Sequence, residues 1–320
     1  SNFKHQLSLP QNEAGEVRAI VGSTPLAMTM EDIKGRALMK REEVDVIQLA
    51  LPVNGANDTQ VLNNLRQEVA SLQEAWTGQR PSAIPMVPEE LTMDEFLNLP
   101  TTQEAIQNHE LPIAISCEEA EIIPLNPSTL KNIVVLSESK QSLQYTICHL
   151  ISVISHCLGN GHVLLVDSNE EYSFLREKAN TYISGEEILE LFSNLDKEIT
   201  NRKETPKDVQ TFIVIPDLAS LVEKVSISED DFYQLYINAY KYGLHFIIAG
   251  SKSVFFKVNP VIKVIKENIT TAVIAMRLYD QSIVEHNSNN REKKLEWDQA
   301  YIYDKGRAQK VKLIKQEIEE

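Results

Sequence analysis

At 320 residues the chain is long enough for about two domains, and its 42% hydrophobic and 24% charged content excludes disorder, collagen and a continuous coiled coil. A formal net charge of −15 excludes a nucleic-acid grip spread over the whole surface. Cys117, Cys148 and Cys157 cannot all pair and point to a reducing compartment, while no apolar run reaches the ~18 residues of a membrane span.

Residues 1–56 read as short strands and turns, with strands at 17–20, 37–40 and 44–51 closed by Pro52 and Asn54–Gly55. Residues 61–76 predict an amphipathic helix. Val61, Leu62, Leu65, Val69, Leu72 and Trp76 recur at three- and four-residue steps, with Arg66, Gln67, Glu68 and Gln73 between them. Residues 78–110 hold Gly78, Pro81, Pro85, Pro88 and Pro100 and read as a linker wrapped over a surface. Short helices are predicted within it near 93–97 and 103–108, the first opened by a Thr92/Glu95 capping box.

From residue 111 the pattern is α/β. Apolar stretches at 133–136, 162–166, 212–215, 244–249 and 271–276 read as strands. They alternate with helices over about 141–158, 185–203 and 229–242, the second opened by a Ser184/Glu187 capping box and the third by Ser228. Near-continuous apolar strands separated by helices imply a mostly parallel sheet with helices on both faces. Right-handed crossovers then gather the strand C-termini on one edge, where ligands bind in such sheets. Residues 1–110 carry 8 basic and 16 acidic side chains, and residues 111–320 carry 23 and 30. Neither part is a basic module, and nucleic acid is not an expected partner.

Three local features carry bland readings. Cys148, His149, His156 and Cys157 lie on one helix, but the histidines stand about 10 Å apart along its axis, too far to converge on zinc. Asp167 with Glu170 and Glu171 reads as a solvated acidic turn. Residues 309–314 read as an edge strand guarded by lysines, with contact to an acidic partner as the alternative.

The order of strand, long helix, strand ending in Asp167, helix ending near Arg202, strand into Asp217, and strand 244–249 resembles the FtsK/SpoIIIE branch of P-loop ATPases. Leu195, Glu198 and Arg202 fit that family's L-x-x-E-x-x-x-R helix finish, and residues 243–250 fit its G-I-H-L-V-L-A-T strand. Residues 17–22, 34–38 and 48–52 are similar to the closing segment of one such domain. The chain thus looks like the tail of a preceding domain (1–77), a linker (78–110) and one last domain (111–320) with a RecA-like P-loop NTPase fold. This tandem layout resembles the C-terminal end of the membrane-anchored type VII secretion motors of Gram-positive bacteria. The resemblance implies preceding ATPase domains in the same chain, an oligomeric ring in the parent, and a place at the cytoplasmic face of the membrane. It also implies exported partners that are small helical hairpins with a W-x-G turn and a C-terminal Y-x-x-x-[DE] signal.

The family's phosphate loop, G-x-x-x-x-G-K-[ST], closes backbone amides around phosphates, with its lysine on the β/γ-phosphates and its hydroxyl on Mg²⁺. Here the strand runs into Ser137, Glu138, Ser139, Lys140, Gln141, Ser142, Leu143 and Gln144. Ser137 and Ser142 stand at the glycines, Leu143 at the lysine and Gln144 at the hydroxyl. Residues with a Cβ disfavour the positive φ that an anion nest needs, and Glu138 adds like charge. Pro216 stands where the family's Mg²⁺-associated Asp belongs, leaving Asp217 as its neighbour. In the later strand loop, Ser251 and Lys252 replace a Gln and an Arg. The expectation is a degenerate domain that binds no nucleotide and no metal, acts in recognition or regulation, and leaves ATP and magnesium to the parent's other domains. One alternative keeps ATP hydrolysis, with Lys140 as substitute lysine and Asp217 orienting water. Another is DNA translocation by family analogy, against which the acidic balance stands.

Overall fold

By its internal contacts the chain divides into two units, residues 1–83 and 84–320, and the computed structural model describes residues 5–29, 33–50, 52–79, 86–288 and 291–316. In the first unit, β1 (Gln6–Ser8) is followed by α1 (Ala14–Val21), α2 (Leu26–Thr29), β2 (Arg36–Lys40), β3 (Val44–Gln48) and α3 (Asp58–Ala75). The three strands pair antiparallel in the order β1-β2-β3. Residues 17–20 are helical, not the predicted strand. Val17 and Val21 are buried while Ala19 between them is exposed, a four-residue period that only a helix supplies. Asn57 caps α3 by accepting from the Gln60 amide at 2.9 Å, yet no residue of α3 is buried.

In the second unit, α4 (Met93–Asn98) and α5 (Pro100–Gln107) precede β4 (Leu111–Ser116) and β5 (Ile122–Leu125). The Thr92/Glu95 capping box forms as predicted. Pro81 and Pro85 of the predicted linker lie outside the described residues. In the later part of that stretch Leu91 and Phe96 are buried in the second unit's core. Then follow β6 (Ile133–Ser137), α6 (Lys140–Cys157), β7 (Gly161–Val166), β8 (Thr181–Ile183), α7 (Leu191–Glu204), β9 (Gln210–Ile215), α8 (Leu218–Lys224) and α9 (Glu229–Asn238). The chain closes with β10 (Leu244–Ser251), α10 (Pro260–Glu267), β11 (Thr271–Ala275), β12 (Gln299–Asp304) and β13 (Arg307–Lys312). The Ser184 box does not form. Residues Gly185–Glu190 make a 3₁₀ turn without a side-chain cap, and α7 starts only at Leu191. The Ser228 cap does form, accepting from the Asp231 amide at 3.1 Å.

Ten strands make one sheet in the order β5-β4-β13-β12-β11-β6-β10-β9-β7-β8. The six from β11 to β8 are parallel, and the other four are joined antiparallel. This is the expected α/β sheet, mostly parallel and covered on both faces. Alternation along the central strands sorts their side chains to two cores. Ile133 and Val135 of β6 join α6, α4 and β4 on one face, whereas Val134 and Leu136 join α7, α8, α9 and α10 on the other. Each fully buried aliphatic side chain contributes roughly 1.5–3 kcal/mol. The predicted edge strand at 309–314 is interior, because β13 lies between β12 and β4. Lys312 there is not a solvated guard. It is buried and bonded to Asp298 at 2.5 Å and to the Glu89 carbonyl.

Two buried polar groups tie the layers together. Arg202 at the end of α7 donates to the carbonyls of Val209 (2.7 Å), Tyr242 (2.9 Å) and Gly243 (3.1 Å), to the Thr211 hydroxyl (2.7 Å) and to Glu198 (2.9 Å). Gly243 sits beside it at φ 68°, where a Cβ would approach the Val209 carbonyl to 3.1 Å; this left-handed C-cap favours glycine. On the other face, His149 of α6 is fully buried. Its Nε2 donates to the Ile113 carbonyl at 2.7 Å and its Nδ1 accepts from the Ile314 amide at 3.1 Å, so the ring is neutral with its proton on Nε2. Burial pushes its pKa down to about 4, the Ile113 bond opposing.

Two outcomes follow from these bonds. Arg202→Leu should lower stability by about 3–5 kcal/mol in urea denaturation, since it orphans buried carbonyls and Glu198. Because His149 titrates lower in the folded chain than in the unfolded, the unfolded state takes up the proton first as pH falls. Stability should therefore rise with pH between about 4 and 6.5, by on the order of 3 kcal/mol over that window. In His149→Gln the pH slope should be shallower by that amount, read from urea midpoints at pH 7 and pH 4.5.

Candidate functional site

Parallel register decides which loops meet. Ser137 at the end of β6 stands level with Ser251 of β10 and Ala275 of β11. The loops that follow these three adjacent strands bound a cleft of about 970 Å³. Of the predicted site residues, Glu138, Ser139, Gln141, Ser142 and Lys252 line it. Asp217 does not. It follows β9, one strand further along the sheet.

The β6–α6 connection is only Glu138 and Ser139, because the helix already starts at Lys140. The Ser142 amide donates to the Ser139 hydroxyl at 3.1 Å, and the Ser139 amide donates to the Ser137 hydroxyl at 3.2 Å. None of residues 137–144 has a positive φ. Leu143, at the lysine's place, is half-buried against the core beside α6. Lys140 points elsewhere and pairs with Glu171 at 2.5 Å. A triphosphate needs a wide loop of inward amides and a free lysine, so the residues present do not fit one.

Asp217 is the N-cap of α8. One carboxylate oxygen accepts from the Ser220 amide at 3.1 Å and the other from Asn169 Nδ2 at 2.8 Å. Asp167 is not the solvated turn expected from the sequence. It is buried and accepts from the Tyr172 amide at 2.8 Å and the Tyr182 hydroxyl at 2.9 Å. Burial, followed by the bond to Asp167, pushes the Tyr182 phenol up. Among the described residues no three His, Cys, Asp or Glu side chains converge as a metal site, and all three cysteines are free.

The other wall of the cleft escaped sequence reasoning. Arg277, just past β11, is held by Asp280 through bonds of 2.6 and 3.0 Å, and Lys252 Nζ bonds the Asp280 carbonyl. The amides of Leu278 and Tyr279 both donate to the Glu292 carboxylate at 2.9 Å. Burial opposes ionisation there, but those amides bring the Glu292 carboxyl below its ordinary value. Trp297 meets Tyr145 of α6 edge-on at 5.0 Å. The available signal was the R-L-Y-D run of residues 277–280, directly after an apolar strand on the ligand edge.

No protein-family profile matches the chain. It is 23% identical over 320 residues to the type VII secretion system protein EssC of Staphylococcus aureus strain MRSA252, covering 98% of this chain and 21% of that protein. Among solved structures it resembles EssC (ATPases 2 and 3) from Geobacillus thermodenitrificans, with a TM-score of 0.74 at 20% identity, over 98% of this chain and 61% of that one. A second is Thermomonospora curvata EccC (ATPases 2 and 3) in complex with a signal sequence peptide, with a TM-score of 0.55 at 18% identity, over 89% and 54%. The homologues are thus type VII secretion ATPases along nearly the whole chain, and the fold is that of FtsK-like P-loop ATPases. The chain spans about a fifth of the length of the curated relatives it matches. No helix among the described residues is long and apolar enough to cross a membrane.

If Asp217 acts as a cap, Asp217→Ala should cost about 1 kcal/mol and Asp217→Asn clearly less. Lys140→Ala should change stability by less than about 1 kcal/mol, as its pair is exposed. Urea denaturation of the three variants measures this.

Proposed function

We propose that the chain is a non-hydrolysing, ATPase-like module of a type VII protein secretion motor, acting in recognition of exported proteins and in regulation of neighbouring ATPase domains. The observation that carries this reading is the closed start of α6. Its first turn is capped by Ser139, Leu143 faces the core and Lys140 is paired away. ATP and magnesium are left to the preceding ATPase domains of the longer polypeptide, which would assemble as a ring at the cytoplasmic face of the membrane. The exported partners are small helical hairpins with a W-x-G turn and a C-terminal Y-x-x-x-[DE] signal, taken up as a helix in a groove. The peptide-bound neighbour of the same fold supports such a role, and the net charge of −15 speaks against DNA as cargo.

Calorimetric titration of one sample with Mg²⁺-ATP and with a synthetic signal peptide tests the proposal. The expected result is no heat of ATP binding up to millimolar nucleotide and measurable peptide binding. Mg²⁺-dependent ATP affinity that disappears in Lys140→Ala would restore the hydrolysing alternative.

A further inference from the structure

We propose that α3 joins two copies of this chain as a parallel, in-register, two-stranded coiled coil. The inference is independent of the recognition reading above.

None of the 18 residues of α3 is buried, yet its large apolar side chains form one row. Leu62, Leu65, Val69 and Leu72 follow each other at steps of three, four and three residues. Leu62, Val69 and Leu72 are 47%, 44% and 61% exposed, and Trp76, just past the helix, continues the row with its side chain in solvent. Apolar surface held in water is a cost that a partner removes. The start of the helix is fixed without one. Asn57 caps it, Lys34 pairs with Asp58 at 2.5 Å, and Asn64 donates to the Asn54 carbonyl at 2.7 Å. The row is therefore presented on an ordered helix, which lowers the entropic cost of pairing.

The width of the row names the partner. A helix that packs on a globular core carries an apolar stripe of roughly 100° or more, with a third apolar position in each heptad; a strict two-in-seven row is the seam of a coiled coil. Here Leu62 and Val69 take position a, and Leu65 and Leu72 take position d. The flanks are Thr59, Arg66 and Gln73 at e, and Val61, Glu68 and Ala75 at g. Val61 is the one large apolar exception, and it is engaged at home, where a Cβ on Gly55 would come within 2.6 Å of its Cγ2. A narrow seam fits a helix with the same seam, and a second copy supplies it by symmetry. Valine at a with leucine at d favours two strands.

Charge sets the direction. In a parallel pair each g position faces the following e position of the other helix. Val61 then meets Arg66 of the second copy and Glu68 meets Gln73, and no like charges are opposed. In an antiparallel pair with the four seam residues matched, e faces e and g faces g. Arg66 then meets Arg66 and Glu68 meets Glu68, which repel. A parallel pair is related by a twofold axis along the seam and closes at two copies. With two heptads, fewer than the three or four of a self-sufficient coil, the association is weak and depends on concentration.

Sedimentation velocity of the full chain from about 5 to about 500 μM tests the pairing. The average mass should rise from one copy toward two and stop there. Leu72→Glu keeps a good helix former at an exposed position. It should weaken association by at least about tenfold and leave the thermal midpoint at low concentration unchanged. Gln67→Glu, exposed on the far side of the helix, should leave association unaltered. Leu72→Cys reads the direction, since d faces d across a parallel seam. Under copper–phenanthroline it should cross-link to itself above the background of the unsubstituted chain, whose cysteines are buried or half-buried. Cross-linking only in a mixture of Leu62→Cys and Leu72→Cys would show an antiparallel pair and overturn the proposal. A chain that stays monomeric, a dimer that ignores Leu72→Glu, or growth past two copies overturns it as well. So does a Leu72→Cys thiol that, in the longer polypeptide, neither cross-links nor reacts with maleimide, because a segment of the same chain then covers the seam.

Discussion

A backbone amide at the start of a helix has no partner inside that helix, and a bond to a neighbouring side chain competes with a bond to a ligand. The edge of the sheet where ligands gather is organised by that constraint. Ser139 caps α6 and Asp217 caps α8, each by accepting one amide of its first turn, and Asn259 caps α10 by accepting two. Glu292 does the same for the amides of Leu278 and Tyr279. An open helix start attracts anions through its dipole and free donors together; capped, it keeps only a screened remnant. The caps also shorten the loops. A two-residue passage from β6 to α6 has no room for a wide, glycine-dependent turn, so the absence of glycine from residues 137–144 and the early onset of the helix agree with each other.

The opposite edge of the sheet follows another logic. Arg202 brings a permanent charge into the interior, which is costly unless its donors are satisfied. Each of its three nitrogens is bonded, to carbonyls, a hydroxyl or Glu198. The clamp joins the end of α7 to β9 and to the turn before β10, where Gly243 leaves the space the guanidinium needs. Asn132 adds a second tie, accepting from the Phe246 amide and donating to the Tyr236 carbonyl, both at 2.9 Å. The L-x-x-E-x-x-x-R pattern therefore belongs to the scaffold. It lies at the far end of the strands from the cleft, at the starts of β9 and β10.

Legibility in the sequence follows from the range of the interactions involved. The central strands and α6 are readable because each signals itself locally, by continuous apolar runs or by period. The Thr92 and Ser228 caps are readable for the same reason. Residues 17–20 mislead because Val17 and Ile20 suggest a strand until Val17 and Val21 are seen buried around an exposed Ala19. β13 misleads because its lysines suggest water, whereas Asp298 and Glu89, which accept from Lys312, are distant in sequence. In the site, the missing glycines and lysine are visible residue by residue. The second wall is not, because Arg277 and Tyr279 come to the Ser139 side of the cleft through the parallel register of β6 and β11, and Trp297 through the antiparallel pairing of β11 with β12.

That register is also why there is a cleft at this edge of the sheet. The crevice is made by the direction in which connections leave adjacent strands, a property of topology that no single side chain controls. Its contents are set by loops that vary freely over a rigid sheet. With the strands tied at one end by Arg202 and the helix starts capped at the other, the sheet presents a hollow lined from several loops. Such a hollow costs little to keep, since its walls are already ordered without a ligand. A hollow ordered in advance demands no conformational freedom from the protein when a ligand enters, the condition under which a modest contact area yields useful affinity.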